Sequence, residues 1–535
     1  MPKYKNPSVI YSDYENFDIP PHMNYGRFVL DKMLKSEDKT ALINGETHIT
    51  VTYGEMVQQI VNTAEFLKQL GVEVGDVVGI CSENRTEFLT TAIAGWAVGA
   101  VVTFINSAYS KGELVHTTKI SNPKFVFLSP KTFKTYYKTL KTLEFVKKFI
   151  VFGTEISEQN IVNFELLTST KFDINLFSAI NFKGSEQTAL ILYSSGTTGP
   201  SKGAMLSHRN LIISGLQPLP YKRNLICLSV APWSNTVGIL LTMDELVNNE
   251  TVVYLSRFNE EAYLSCIEKY KVALLLSVPP LLVILNQSKI LKNYDLTSVE
   301  VTYCGGAPLD VGAINEIKKT FPNMNHVLQG YGMTETSGSL TEDHYFAPRE
   351  GSVGRITQGN IIKIVDVESR KMLGPNQPGE VCVKGPVLFQ GYIGKDLKDD
   401  LDDESFYKTG DIAYYDVDGY FYIVDRLKEL IKYKAGQVAP SELEALLRQH
   451  PGVKDVGVTG VLDPLAGELP IGFVVKSPGS AVTEKELIDF VASKVSSWKQ
   501  LRGGVRFVQD IPKTASGKIL RRKLREMLSK TASKL

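Results

Sequence analysis

Between Val51 and Phe152 the apolar positions follow two alternating periods. The stretch YGEMVQQIVNTAEFLKQLG repeats its hydrophobic residues every three to four positions, as a helix with one buried face does. VVGICS, VVTFIN, FVFLS and KFIVFG are instead short continuous apolar runs bounded by polar turns. This alternation predicts βα units around a mostly parallel sheet. The rhythm returns between Leu225 and Cys304, through ICLSVAP, TVVYLS, EEAYLSCIEKYK, ALLLSVPP and VEVTYCGGAP. Two such βαβ blocks predict two stacked lobes and not a short-period solenoid. Beyond Gly351 the texture changes to short alternating strands, IIKIVD, GEVCVKG and GYFYIVD, which read as a β-rich subdomain. From residue 426 onward a helix, SELEALLRQHPG, a strand, DVGVTGV, and another helix from Thr483 read as a compact α+β domain. The predicted fold class is α/β, with a large N-terminal domain over 1–425 and a small C-terminal domain over 426–535, joined at Asp425-Arg426-Leu427-Lys428.

Composition narrows the function. The 59 Lys and Arg balance 58 Asp and Glu, so there is no basic stripe of the kind that wraps nucleic acid. Cys81, Cys227, Cys266, Cys304 and Cys382 lie far apart, without a CxxC or a Cys/His cluster, which argues against a zinc site or a disulfide framework and for a reducing compartment. The N-terminus lacks the apolar core of a signal peptide. The longest apolar run, Ala92 to Ile105, is too short to cross a bilayer, and a soluble protein is expected. Ser533-Lys534-Leu535 matches the address read by the peroxisomal import receptor, predicting a peroxisomal location.

The chemistry concentrates in polar loops at the ends of predicted strands. YSSGTTGPSKGAMLSHRN, residues 193 to 210, places small hydroxyl and glycine residues ahead of Lys202, between the strand-like ALILYS and a predicted helix beginning in MLSHRNL. Successive N–H groups in such a turn can converge on an anion. The pattern is neither GxxxxGK[ST] nor GxGxxG, so a phosphate cradle and a plain loop both remain open on composition alone. YCGGAP (303–308), QGYGMTET (329–336) and YKTGD (407–411) also sit at strand ends, where α/β proteins gather ligands.

Taken in order and spacing, YSSGTTGPSKGAMLSHRN, YCGGAP, QGYGMTETSG, YKTGDIAYYDVDGYFYIVDRLKELIK and PKTASGKILRRKLR resemble the adenylate-forming superfamily of acyl-CoA synthetases and firefly-type luciferases. The resemblance runs from about Tyr53 to the terminal SKL, and LIKYK, QVAPSELEALLRQHPGV and LRGGVRFV resemble insect luciferases most. It implies that ATP and a carboxylic acid give an acyl-adenylate and pyrophosphate. Lys518 would bridge acid and phosphate, and Glu335 would hold Mg²⁺. Asp411 would accept from the ribose hydroxyls, aided by Arg426. Gly305, Gly306 and Ala307 would line the adenine, with Tyr331 against the purine and Gly330, Gly332 and Met333 beside it. Thr334 would donate to the α-phosphate, and Ser194, Ser195, Gly196, Thr197, Thr198, Gly199 and Lys202 would cover the β- and γ-phosphates. The C-terminal domain is implied to be mobile, rotating about Lys428 to exchange Lys518 for Lys432. Ala435-Gly436 departs from the family's usual glycine after LIKYK, which bears on the thiol tunnel.

The acid would occupy a pocket of Ser214, Asn235, Thr236, Val237, Leu241, Gly338 and Ser339. Relative to beetle luciferases this set lacks a cation, an imidazole and an aromatic wall, so beetle luciferin is not the expected substrate. One reading is a luciferase of a branch outside the beetles, with O₂ as co-substrate and another luciferin. The second is a fatty acyl-CoA synthetase using coenzyme A, in which Val237, Leu241, Gly306 and Gly338 suit an aliphatic chain. A third is a non-catalytic ATP-binding homologue, disfavoured by intact Lys518, Glu335, Asp411 and Lys202.

Overall fold

A computed structural model describes residues 9–12, 17–153, 161–168, 170–182, 187–194, 201–306, 309, 311–434, 436–463, 465–514 and 517–532. Two large sheets carry the two βα blocks. In the first, the strands Thr188–Ser194, Val101–Phe104, Val77–Cys81, Phe125–Leu128, Lys148–Val151 and Ile161–Asn163 run parallel in that spatial order. In the second, the parallel run is His326–Met333, Val301–Cys304, Leu274–Ser277, Cys227–Ser229, Val252–Tyr254 and Thr40–Asn44. The inner strands FVFL, LLLS and VTYC are buried at every position, because helices cover both faces of a parallel sheet.

Two connections depart from the linear reading. Thr40–Asn44 and Thr50–Thr52 precede the first block yet pair at the edge of the second sheet, so the lobes share chain and cannot separate cleanly. Lys202–Ser207 is a strand antiparallel to Thr188–Ser194, and the helix begins only at His208, behind a Ser207/Asn210 capping box. The small-residue segment therefore joins two strands and does not feed a helix directly.

The lobes are tied by buried polar contacts as well as by one continuous apolar core. Asn84, at the end of the first lobe's strand Val77–Cys81, donates to the carbonyls of Ala231 and Leu255 in the second lobe and accepts from the Trp233 N–H at 2.8 Å. The Trp233 ring packs edge-on against Phe88, 6.0 Å between centroids. Over this unit lies an antiparallel sheet of Val9–Tyr11, Ile361–Val365, Gly379–Lys384, Tyr407–Tyr415 and Phe421–Arg426.

That sheet ends at Arg426, and the first strand of the small C-terminal domain, Ile431–Tyr433, begins five residues later. The intervening turn, Leu427–Glu429, points the buried Glu429 carboxylate back at Arg521. Arg521 also donates to Glu444 at 2.8 Å and to the Val458 carbonyl at 3.1 Å. One guanidinium thus fastens the connecting turn, a helix and a strand of the small domain.

Removing one member of a buried ion network leaves its partners charged and desolvated. Arg521→Ala is expected to destabilise the C-terminal domain by about 3–5 kcal/mol, read as a lowered midpoint in chemical denaturation followed by hydrogen exchange in that domain. An unchanged midpoint would remove Arg521 from this anchoring role.

Candidate active site

The loop that carries Lys518 reaches the large domain through a tight turn. Thr514 accepts from the Gly517 N–H through its carbonyl at 2.9 Å and from the Lys518 N–H through its hydroxyl at 3.1 Å. Gly517 has φ +82°, and a Cβ there would stand 1.9 Å from Cγ of Pro280 on the large domain. Only glycine permits that approach. The result places the half-buried Lys518 ammonium in one electrostatic neighbourhood with Arg426, Asp411, Glu335 and Glu429. Burial and the Arg426 charge lower its pKa, while the three carboxylates oppose the shift.

Asp411 is 4% exposed, and its two oxygens are each engaged: Oδ1 with Arg426 at 3.0 Å and Oδ2 with the Tyr331 hydroxyl at 2.8 Å. A carboxylate has about four lone-pair sites, so two remain for a diol. Burial and Asp411 raise the Tyr331 phenol well above its usual value, which keeps it a donor. Tyr331 is thus tethered by its hydroxyl, with its ring packed partly against the core. Arg426 and Asp411 face each other across adjacent antiparallel strands, so the sheet register itself makes the pair.

Glu335 sits in the turn Thr334–Thr336, which follows the strand His326–Met333. Its carboxylate is 5% exposed, carries no cation partner among the described residues, and accepts from the Tyr392 hydroxyl through Oε1. Lys202 lies over the Tyr392 ring, 4.7 Å from its centroid. Tyr392 therefore links the lysine of the small-residue loop to Glu335. Sequence reasoning missed Tyr392, because it lies on a strand of two residues, Gly391–Tyr392, too short to show any period.

Thr334 bonds hydroxyl to hydroxyl with Thr236 at 2.7 Å, at the N-terminus of the helix Thr236–Val247. Gly306, at φ +85°, faces Val237, and a Cβ on Gly338 would lie 3.0 Å from the Ser214 hydroxyl. Gly330 and Gly332 admit no side chain: an added Cβ would meet the Tyr303 hydroxyl at 2.0 Å and the Gly338 carbonyl at 2.1 Å. Gly305 faces the Gly330 carbonyl, and the Met333 N–H donates to Thr336. Asn235 accepts from Asn106, while Leu241 and Ser339 border two adjoining cavities that also include Ser214. Ser194 ends its strand opposite Lys202. Ser195, Gly196, Thr197, Thr198, Gly199, Ala307 and Ala435 lie outside the described residues.

Two expected residues stand apart from this cluster. Lys432 is exposed between the buried Ile431 and Tyr433, and Lys428 is exposed in the connecting turn. In this arrangement Lys518, not Lys432, occupies the centre.

The sequence model of the AMP-binding enzyme matches residues 31–393, and that of the AMP-binding enzyme C-terminal domain matches 442–518. The chain belongs to the AMP-binding enzyme family. Among relatives of this AMP-binding enzyme, a luciferin 4-monooxygenase from Nipponoluciola cruciata is 38% identical, with 92% of each chain covered. A 4-coumarate--CoA ligase-like protein from Arabidopsis thaliana is 36% identical over 98% of this chain and 96% of its own. In structure, ATP-bound MatB from Rhodopseudomonas palustris superposes with a TM-score of 0.84 at 27% identity, covering 94% of this chain and 98% of the other. Both kinds of relative are adenylate-forming enzymes in fold, and this chain is one.

A lysine whose charge is held down by burial and a neighbouring arginine loses its proton below the ordinary lysine range. In the expected adenylation role the ammonium would be the active form, so kcat/KM for adenylation should fall on the alkaline side at a pH below that range. Arg426→Gln should move that limb upward even as the rate drops, and Lys518→Arg should remove it from the accessible range. A limb that ignores both substitutions would assign it to another group.

Proposed function

We propose that this adenylate-forming enzyme activates a luciferin-type carboxylic acid with ATP and then oxidises the adenylate with O₂, emitting light. The observation that carries the first half is the position of Lys518 beside Glu335, Asp411 and Arg426. A substrate carboxylate oxygen attacks the α-phosphorus, and the bond to the β-phosphate breaks with its electron pair leaving on pyrophosphate. Two anions must meet, so positive charge and donors placed beforehand lower the barrier. Lys518 supplies the charge between acid and α-phosphate, Thr334 a hydroxyl donor, and Lys202 the charge over the departing phosphates. Asp411 orients the ribose.

Magnesium fits the donor set. Glu335 offers a hard oxygen with no cation of its own, and no cluster of three or more His, Cys, Asp or Glu ligands occurs among the described residues, which suits an ion completed by phosphate and water. When bound it would neutralise phosphate charge. Rotation of 426–535 about Lys428 would then withdraw Lys518 and present Lys432 for the second half-reaction.

The luciferase assignment rests on the resemblance to luciferin 4-monooxygenases across nearly the whole chain. The second reading is an acid–CoA ligase, with coenzyme A taking the acyl group as a thioester. It is favoured by the ligase-like relative, which covers even more of the chain. Delivery to the peroxisome through Ser533-Lys534-Leu535 is part of the proposal and rests on those residues, which lie outside the described ones.

Incubation with ATP, Mg²⁺ and air, with a non-beetle luciferin extract in one tube and a fatty acid plus coenzyme A in another, decides between the readings. Light dependent on ATP and O₂ is the expected result, and thioester without photons would overturn the luciferase reading. Lys518→Ala should slow pyrophosphate release about 10²–10³-fold, the usual effect of losing one preorganised donor. A near-normal rate in that variant would remove Lys518 from the adenylation step.

A further inference from the structure

Residues 389–393 are stapled to two parts of the candidate site at once. At one end the Phe389 N–H donates to the Glu335 carbonyl at 2.9 Å. Further along, the Gln390 N–H donates to the Met205 carbonyl and the Ile393 N–H to that of Gly203, so the short strand Gly391–Tyr392 lies antiparallel against Lys202–Ser207, with Tyr392 opposite Ala204. These five residues thereby set the distance between the strand that opens with Lys202 and the turn that holds Glu335. Main-chain bonds keep Tyr392 in place whatever its side chain does.

That side chain meets both charged residues. Its hydroxyl donates to Oε1 of Glu335, and Nζ of Lys202 stands 4.7 Å from the centroid of its ring. The buried Phe389 ring packs edge-on against it, 5.0 Å between centroids and 77° between planes, which limits its rotation. The hydroxyls of Ser194 and Tyr407 are also hydrogen-bond partners of the Tyr392 oxygen. A phenol has one proton, so while Tyr392 donates to Glu335 those two can only donate to it. Lys518 and Arg426 share an electrostatic neighbourhood with Glu335, and neither forms an ion pair with it. Oε2 of Glu335 has no hydrogen-bond partner among the described residues. One oxygen of this buried carboxylate is tied down and the other is left for a ligand, the arrangement in which a bond to the first aims the second at a metal ion.

We propose that Tyr392 is a positioning residue of the adenylation site, its hydroxyl orienting Glu335 so that Oε2 is left for Mg²⁺, and its ring seating Lys202 at the phosphates. This rests on the magnesium role given above to Glu335 and deepens it by naming the side chain that makes the carboxylate a directed ligand. Tyr392 touches neither substrate nor reacting atoms and acts through Glu335 and Lys202.

ATP binding to the full chain without any acid, measured by equilibrium dialysis in EDTA and across a Mg²⁺ titration, separates the two contacts. Tyr392→Phe preserves the ring and its packing but loses the hydroxyl. Its Kd for ATP in EDTA should match wild type, while the Mg²⁺ concentration giving half of the tightening should rise about 10–100-fold, the usual cost of removing a group that orients a metal ligand. Tyr392→Leu should in addition weaken ATP in EDTA by about 2–5-fold, the worth of an exposed cation–π contact. Glu335→Ala should lose most of the Mg²⁺ response. A wild-type response in Glu335→Ala overturns the magnesium role of Glu335 and this inference with it. A lost response in Glu335→Ala beside a wild-type or stronger one in Tyr392→Phe overturns this inference alone. So does a Tyr392→Phe variant that loses ATP affinity equally with and without Mg²⁺, the mark of a residue that only fills space. Tyr392→Leu binding ATP in EDTA as tightly as Tyr392→Phe overturns the seating of Lys202.

Discussion

Everything in this active site depends on placing one ammonium among groups of both signs. Lys518 belongs to the small domain, while Asp411 and Glu335 belong to the large one and Arg426 stands at the join, so the neighbourhood exists only while the two domains are docked. The docking is set by backbone shape before charge: Gly517 lets the loop come so near Pro280 that no side chain fits between them. Electrostatics then decides what the docked state can do. Arg426 lowers the affinity of Lys518 for its proton, and the same arginine pairs with Asp411, the residue expected to meet the ribose. A single cation thereby touches both the expected ribose carboxylate and the expected catalytic lysine.

The connecting turn is built so that the proposed rotation would not loosen the small domain. Glu429 lies one residue beyond the exposed Lys428 and is clamped by Arg521, which also holds Glu444 and Val458. Rigidity therefore begins immediately after Lys428. On the other side, Arg426 is fixed by strand pairing to Asp411. Only Leu427 and Lys428 separate two firmly held residues, which confines any change of backbone angle to that short link, as a hinge requires.

The sequence carried the two βα blocks clearly, because parallel strands buried on both faces leave unbroken apolar runs such as FVFL and LLLS. The small-residue loop ahead of Lys202 was ambiguous by composition, and its expected role at the phosphates came only from its order and spacing beside the other strand-end motifs. It could not carry the exchange of Thr40–Asn44 into the other lobe, because strand order is a long-range property that periodicity does not encode. The strand Lys202–Ser207 was read as the approach to a helix for a related reason: MLSHRN contains both the end of a strand and a capping box, and pattern alone does not separate them. Tyr392 was invisible on its own, acquiring a role only once folding set it between Lys202 and Glu335.

The acid side of the site follows a different logic from the nucleotide side. Where ATP is expected the polar groups already have partners: Asp411 has Arg426 and Tyr331, Thr334 has Thr236, and Glu335 has Tyr392. A preformed network of this kind suits a ligand that never changes. On the far side of Gly338 the pattern breaks: the buried Ser337 hydroxyl lines a cavity with no hydrogen-bond partner among the described residues, and Glu245 accepts from Tyr221 with one carboxylate oxygen while the other is left without a partner. The unpartnered Ser337 hydroxyl faces a cavity beside the expected acid pocket, where a difference between substrates would be read as binding energy.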